Sequence, residues 1–304
     1  MIPFAIPFAF FLCNAILIIP KFLRFCKGFP YIRKKVFQTL FTRKDVRNTQ
    51  RKVLFHLSVD ECTLSDAIRQ SAEWFDSTAS IPHVVHTPNA EALLLSISDS
   101  SYGALFSDAD LILPDGDGLL LAAKLMHTPL KCKKVAGIDF FAQILSVCAN
   151  TGKRVFLLGG KPGVAQNAAK RLCEMHPNLQ ICGTHDGYFS KQGAESDAVI
   201  EKINRSQADF LAVCLGMPAQ EIWMRENRAK LHVQIMGGFG GALDVFAGNV
   251  KRAPQWIRRL HGEWAWRLLR QPARFSRVWK FPYLLFYCAR NRVQPSRQNP
   301  VYPS

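Results

Sequence analysis

Two carboxylates stand one residue apart in the stretch LILPDGDGLLLA, residues 111–122, where an aliphatic run breaks at Pro114 and resumes after Gly118. Asp115 and Asp117 at the end of a buried strand could do three different things. A hard cation would take both, together with a diphosphate. A lone carboxylate followed by Gly116, which lets a substrate approach the backbone, would accept a hydroxyl proton as a base. Either could instead make an Asx-turn or cap the helix beginning near Leu119. Spacing alone leaves these open. A second stretch, VFLLGGKPGVAQNAAKRL, reads as strand, glycine turn and helix, with Gly159 and Gly160 at the turn. Backbone N–H groups at such a helix start can hold a pyrophosphate, or the glycines serve only a tight turn. The pattern is not G-x-G-x-x-G, so a dinucleotide is poorly supported.

These residues need a scaffold that brings them together. Apolar bursts at 83–87, 111–114, 154–160, 179–185, 209–216 and 233–238 predict strands. Helix-like runs follow most of them: NAEALLLSIS, GLLLAAKLM, GIDFFAQILSVCANTG, KPGVAQNAAKRLCEM and AQEIWMRENRAKL. Alternating strands and helices predict βαβ units, hence an α/β, Rossmann-like and mostly parallel sheet with helices on both faces. Ligands bind outside the carboxyl ends of such a sheet. There the sequence places Thr87-Pro88-Asn89, Asp115-Gly116, Gly159-Gly160-Lys161-Pro162-Gly163, Asp186-Gly187, Gly216-Met217-Pro218 with Gln220, and Gly237-Gly238. Small and polar strand ends in this number predict a crevice for phosphate and sugar.

Charge is segregated. Residues 1–52 hold eleven Lys or Arg against one acid and residues 251–304 hold twelve against one, so a net charge of +16 leaves the middle mildly acidic. Basic ends beside apolar segments favour anionic lipid over nucleic acid. The first 19 residues carry no charge, near the roughly 20 needed to cross a bilayer, and a basic flank follows. Residues 1–20 are therefore expected to be a membrane segment, spanning or lying in the interface, with the rest held on the cytoplasmic side. Residues 21–52 read as a basic linker, 53–248 as the α/β core, 249–292 as a basic, aromatic, helical C-terminal appendage and 293–304 as a tail. Nine cysteines without a C-x-x-C pair are expected to be reduced thiols, and their spacing to His gives no zinc site.

From about Val53 to Arg292 the chain resembles the WecG/TagA/CpsF family of bacterial glycosyltransferases. The resemblance rests on TPNAE, ADLILPDGDG, GIDF, VFLLGGKPGVAQNAAKRL, GTHDGYF, INRSQADFLAVCLGMPAQEIWM and GGFGGALDVFAGNVKRAPQWIRRLHGEWAWRLLRQPAR, in one order. It implies transfer of a hexose, N-acetylmannosamine, glucose or a relative, from a UDP-sugar to a saccharide on undecaprenyl diphosphate, with inversion. It implies no cofactor and no required metal, and work at the bacterial inner membrane on a surface or exported polysaccharide. By that resemblance Asp115 is the base, Thr87 and Asn89 match a polar pair at the neighbouring strand end, and Gln220 matches a glutamine after a Gly-x-Pro turn. Arg267, Arg270 and Arg274 match arginines that an appendage carries to the diphosphate. The position of Asp117 is commonly aliphatic in the family, which bears on the metal-free assignment and on the sugar selected. Membrane lipids are expected partners, nucleic acid is not, and self-association is left open. The competing readings are a nucleotide-binding oxidoreductase on a Rossmann-like sheet and a non-catalytic membrane scaffold.

Overall fold

The computed structural model describes residues 50–255, 257, 262, 263, 266 and 280–290. The apolar N-terminal segment, the basic linker as far as residue 49, and Arg267, Arg270 and Arg274 lie outside the described residues.

Each burst of β-branched and aliphatic residues expected to form a strand does so, and the six strands make one sheet. They are β3 (His83–His86), β4 (Leu111–Ile112), β5 (Arg154–Gly159), β6 (Gln180–His185), β7 (Phe210–Cys214) and β8 (Ile235–Gly238), in the order β4-β3-β8-β7-β5-β6. Every neighbouring pair is parallel. Burial on both faces explains why β5, β7 and β8 read as continuous apolar runs rather than alternating ones, whereas the edge strand β6 is exposed or half-buried along its length. Along β5, Phe156 and Leu158 face one core while Val155 and Leu157 face the other. The period-two alternation of side chains requires this division.

One core is covered by α2 (Ala90–Ser98), α3 (Ser100–Ala104), α4 (Asp117–Leu125), α7 (Ala194–Arg205), α8 (Ala219–Asn227) and α10 (Phe281–Arg290). The opposite core is covered by α1 (Leu64–Trp74), α5 (Gly137–Thr151), α6 (Val164–Met175) and α9 (Ala242–Phe246). From β3 the chain runs to the β4 edge, and from β5 to the β6 edge. The connections thus leave the middle of the sheet in opposite directions, opening a crevice at the carboxyl ends.

A hairpin not anticipated from the sequence precedes the sheet: β1 (Arg51–Leu54) and β2 (Leu57–Asp60), antiparallel. It begins two residues inside the stretch read as linker. Its turn, Phe55-His56, lacks the Asn-Gly or Asp-Gly signal of a two-residue hairpin, and Phe55 takes φ 55°. The hairpin covers the β4 edge through Asp60. That carboxylate is 2% exposed, pairs with Arg51 at 2.8 Å and accepts the Ile112 N–H at 2.8 Å. Helix α1 was also missed, although Thr63 and Asp66 form a capping box, an N-terminal signal legible in the sequence. Among the described residues no helix is long and apolar enough to cross a membrane, and the seven described cysteines are free thiols.

Candidate active site

A cleft of about 500 Å³ opens at the carboxyl ends of the strands. Thr87, Asn89, Asp115, Gly160 and Gln220 all line it, joined by Glu91, Lys161, Tyr188 and Asp244. Gly159 sits one residue inside the rim. Residues far apart in the chain are thus gathered because each follows a strand of one parallel sheet.

Asp115 follows β4 and is half-buried. Its N–H donates to the Pro88 carbonyl at 3.0 Å, and the Val135 N–H donates to Pro114 O at 2.9 Å. These bonds stitch the turn to the loop after β3 and to the segment entering α5. Gly116 takes φ 89° with open space where a side chain would stand. Backbone conformation, not crowding, requires glycine there, and the opening leaves the Asp115 turn accessible from the cleft.

Asp117 is the first residue of α4 and does not line the cleft. Its Oδ2 accepts from Lys134 Nζ at 2.6 Å, and the same ammonium reaches Glu263 Oε2 at 3.1 Å. Burial alone would lower the Lys134 pKa, but the hydrogen bonds to Asp117 and Glu263 outweigh it and hold it above the ordinary lysine value. Of the two acids of the D-x-D stretch, Asp115 lines the cleft and Asp117 does not. Among the described residues no group of three or more His, Cys, Asp or Glu is arranged to hold a metal ion.

Thr87 Oγ1 donates to Gly238 O at 2.8 Å, tying β3 to the end of β8. It also fills the space a side chain at Gly137 would need, 2.8 Å away. Asn89 Oδ1 caps α2, accepting from the Glu91 and Ala92 N–H groups at 2.8 and 3.2 Å. Gln220 is 3% exposed and holds the loop after β8, its Oε1 accepting from Gly240 N–H at 2.9 Å. Gly159 takes φ 129° and a side chain on it would meet the Cys214 carbonyl at 2.2 Å. Close approach of β5 to β7 demands that glycine. Gly160 takes φ 75° to turn into α6.

Helix starts around the cleft supply further electrostatics. Gly137 opens α5, Gly160 and Lys161 precede α6, and Met217 and Gln220 flank the start of α8; all five residues line the cleft. None of these three helices has a side-chain cap. One first-turn N–H in each donates to a backbone carbonyl, from Asp139 to Ala136, from Val164 to Lys161 and from Gln220 to Gly216, and the positive dipole ends of the helices favour an anion. Sequence reasoning did not nominate Tyr188, 68% exposed at the rim, although it lies within the GTHDGYF stretch. It also missed Lys134 and Glu263, whose partners are distant in the chain.

The sequence profile of the glycosyl transferase WecG/TagA/CpsF family matches residues 52–298. A relative from Bacillus subtilis (strain 168) is 36% identical over 199 residues, covering 66% of this chain and 76% of its own length. One from Bacillus spizizenii is 38% identical over 196 residues, covering 64% and 74%. Both bear the name N-acetylglucosaminyldiphosphoundecaprenol N-acetyl-beta-D-mannosaminyltransferase.

Proposed function

This chain belongs to the glycosyl transferase WecG/TagA/CpsF family and is a hexosyltransferase, and from that premise we propose that it moves N-acetylmannosamine or a related hexose from a UDP-sugar to a saccharide on undecaprenyl diphosphate. The observation that carries the reading is the convergence of Thr87, Asn89, Asp115, Gly160 and Gln220 on one cleft. The names of the relatives supply the acceptor and the transferred sugar for this reading.

In this reading the acceptor hydroxyl gives its proton to the Asp115 carboxylate as its oxygen bonds to the anomeric carbon. The bond to the departing diphosphate breaks on the opposite face, so the configuration inverts. Negative charge then grows on the diphosphate. The uncapped starts of α5, α6 and α8 and the Lys161 ammonium answer it, with Arg267, Arg270 and Arg274 assigned the same task. Thr87 and Gln220 hold the floor of the cleft through Gly238 and Gly240. Tyr188 offers an exposed ring at the rim on which a base can stack.

The protein is further proposed to work against the cytoplasmic face of the membrane. Tyr283 and Phe286 project from α10 with 60% and 65% exposure, and the exposed Lys280 and Arg290 flank them. The oxidoreductase reading gains nothing from the site, since the turn after β5 departs from the dinucleotide fingerprint and the family is one of transferases.

Replacing Asp115 by Asn keeps size and removes the base. Turnover of a UDP-sugar on a polyprenyl-diphosphate saccharide is expected to fall about 100-fold or more, with UDP binding retained in calorimetry. Turnover near the wild-type rate would take Asp115 out of the chemistry.

A further inference from the structure

We propose that Asp117 and Gly118 form the docking platform of the C-terminal segment, and that Glu263 is the positioning residue that registers this segment against the cleft by way of Lys134 and Arg252. The inference rests on the transferase reading only for its kinetic arm.

Two independent contacts carry it. The first is a chain of charges. Lys134 Nζ bridges Asp117 Oδ2 at 2.6 Å and Glu263 Oε2 at 3.1 Å. The other Glu263 oxygen faces Arg252 Nε at 3.6 Å. Arg252 in turn makes a two-pronged pair with Asp139, at 2.6 and 2.8 Å. Asp117 stands two residues from Asp115, and Asp139 two residues from Gly137, both of which line the cleft. One carboxylate of the C-terminal segment thus reaches, through one cation on each side, the two helix starts that flank the site. Asp117, Lys134, Glu263 and Arg252 are at most 25% exposed, so these pairs are shielded from the screening that weakens surface ion pairs.

The second contact is apolar. Phe281, at the start of α10, occupies the space a side chain at Gly118 would need, with its ring 2.8 Å from that position. Behind it Leu284 and Cys288 of α10 are buried against the core that α4 helps to form. Gly118 is therefore the seat of Phe281, just as Asp117 is the seat of Lys134. The two anchors bracket, in the chain, the stretch that carries Arg267, Arg270 and Arg274. A side chain at Gly118, or loss of the carboxylate at Asp117, would remove one of these two anchors.

The test uses the full chain and reads docking separately from chemistry. In Glu263→Gln, amide hydrogen exchange across residues 255–290 is expected to speed up about tenfold. The turnover number should fall about tenfold, while UDP affinity stays within about twofold of wild type. Glu263→Asp should recover most of both effects. Lys134→Met combined with Glu263→Gln should be no worse than the poorer single variant, because both break the same link. Unchanged exchange in Glu263→Gln, or losses that multiply in the double variant, would overturn the proposal. Absence of sugar transfer by the wild-type protein would instead count against the transferase reading, and the exchange arm would still decide the docking.

Discussion

Beneath the cleft, Glu221 is 2% exposed, accepts from Gln220 Nε2 at 2.8 Å through Oε1, and has no hydrogen-bond partner for Oε2 among the described residues. Burial pushes its pKa from 4.5 up to about 7. Between those values the folded protein binds more protons than the unfolded chain. The stability linked to this group is therefore complete below pH 4.5 and is lost as pH rises through 7, by about 3 kcal/mol. A glutamine would keep the acceptor for Gln220 without the buried charge. Glu221→Gln is expected to be more stable than wild type at pH 8, with the gap closing toward pH 5, in urea unfolding at both values. The same gap at both pH values would contradict this account. His86, held near 4 by burial and by Arg228, changes stability in the opposite sense, but it is common to both proteins and cancels in the comparison. At this scale Asp115, Thr87 and Gln220 were legible because strand ends announce them. Glu221 was not, since nothing in the chain marks how deeply a residue next to Gln220 is buried. Asp117 was legible as an anomaly and not as an anchor, because its partner lies seventeen positions on, at Lys134.

Among elements, the six strands of the sheet were all foreseen; for the buried β5, β7 and β8 the signal is an apolar run, while the edge strand β6 is exposed or half-buried along its length. The hairpin of Arg51–Leu54 and Leu57–Asp60 was not: its strands have four residues each, and its tip is a phenylalanine with positive φ. Helix α7 escaped too, its polar composition masking Val199, Ile200 and Ile203, which face the core. The last described helix, α10, has two opposed faces. Leu284 and Cys288 are buried, while Tyr283 and Phe286 point outward between basic ends. Aromatic rings flanked by cations suit the headgroup region of an anionic bilayer. Flotation with vesicles rich in phosphatidylglycerol should recover the wild-type protein. With residues 1–20 removed from both chains, so that the expected membrane segment cannot hold them on the vesicle, Tyr283→Ser with Phe286→Ser should lower the bound fraction severalfold without changing the melting temperature by more than a degree or so. Equal flotation of both would mean that α10 is not the lipid-facing element.

Across the whole molecule, most of the positive charge lies outside the stretch that lines the cleft. The basic ends account for more than the net +16, while the cleft belongs to the mildly acidic middle and draws on helix starts and Lys161 for positive potential. Connectivity explains why the cleft was foreseeable as a set of strand ends although its volume was not. A parallel sheet whose connections diverge from its centre must open there, but the fit of Gly159 against Cys214 or of Phe281 on Gly118 depends on packing that no single stretch encodes. The central claim is that this cleft transfers a sugar from a UDP-sugar to a lipid-linked diphosphate acceptor with helix starts and cations in place of a metal. Turnover of UDP-N-acetylmannosamine on undecaprenyl-diphosphate N-acetylglucosamine, measured with and without EDTA, tests it most directly. The account predicts product in both conditions at rates within about twofold, as charge stabilisation by fixed groups requires. No product in either condition, or turnover abolished by EDTA and restored by Mn²⁺, would contradict it.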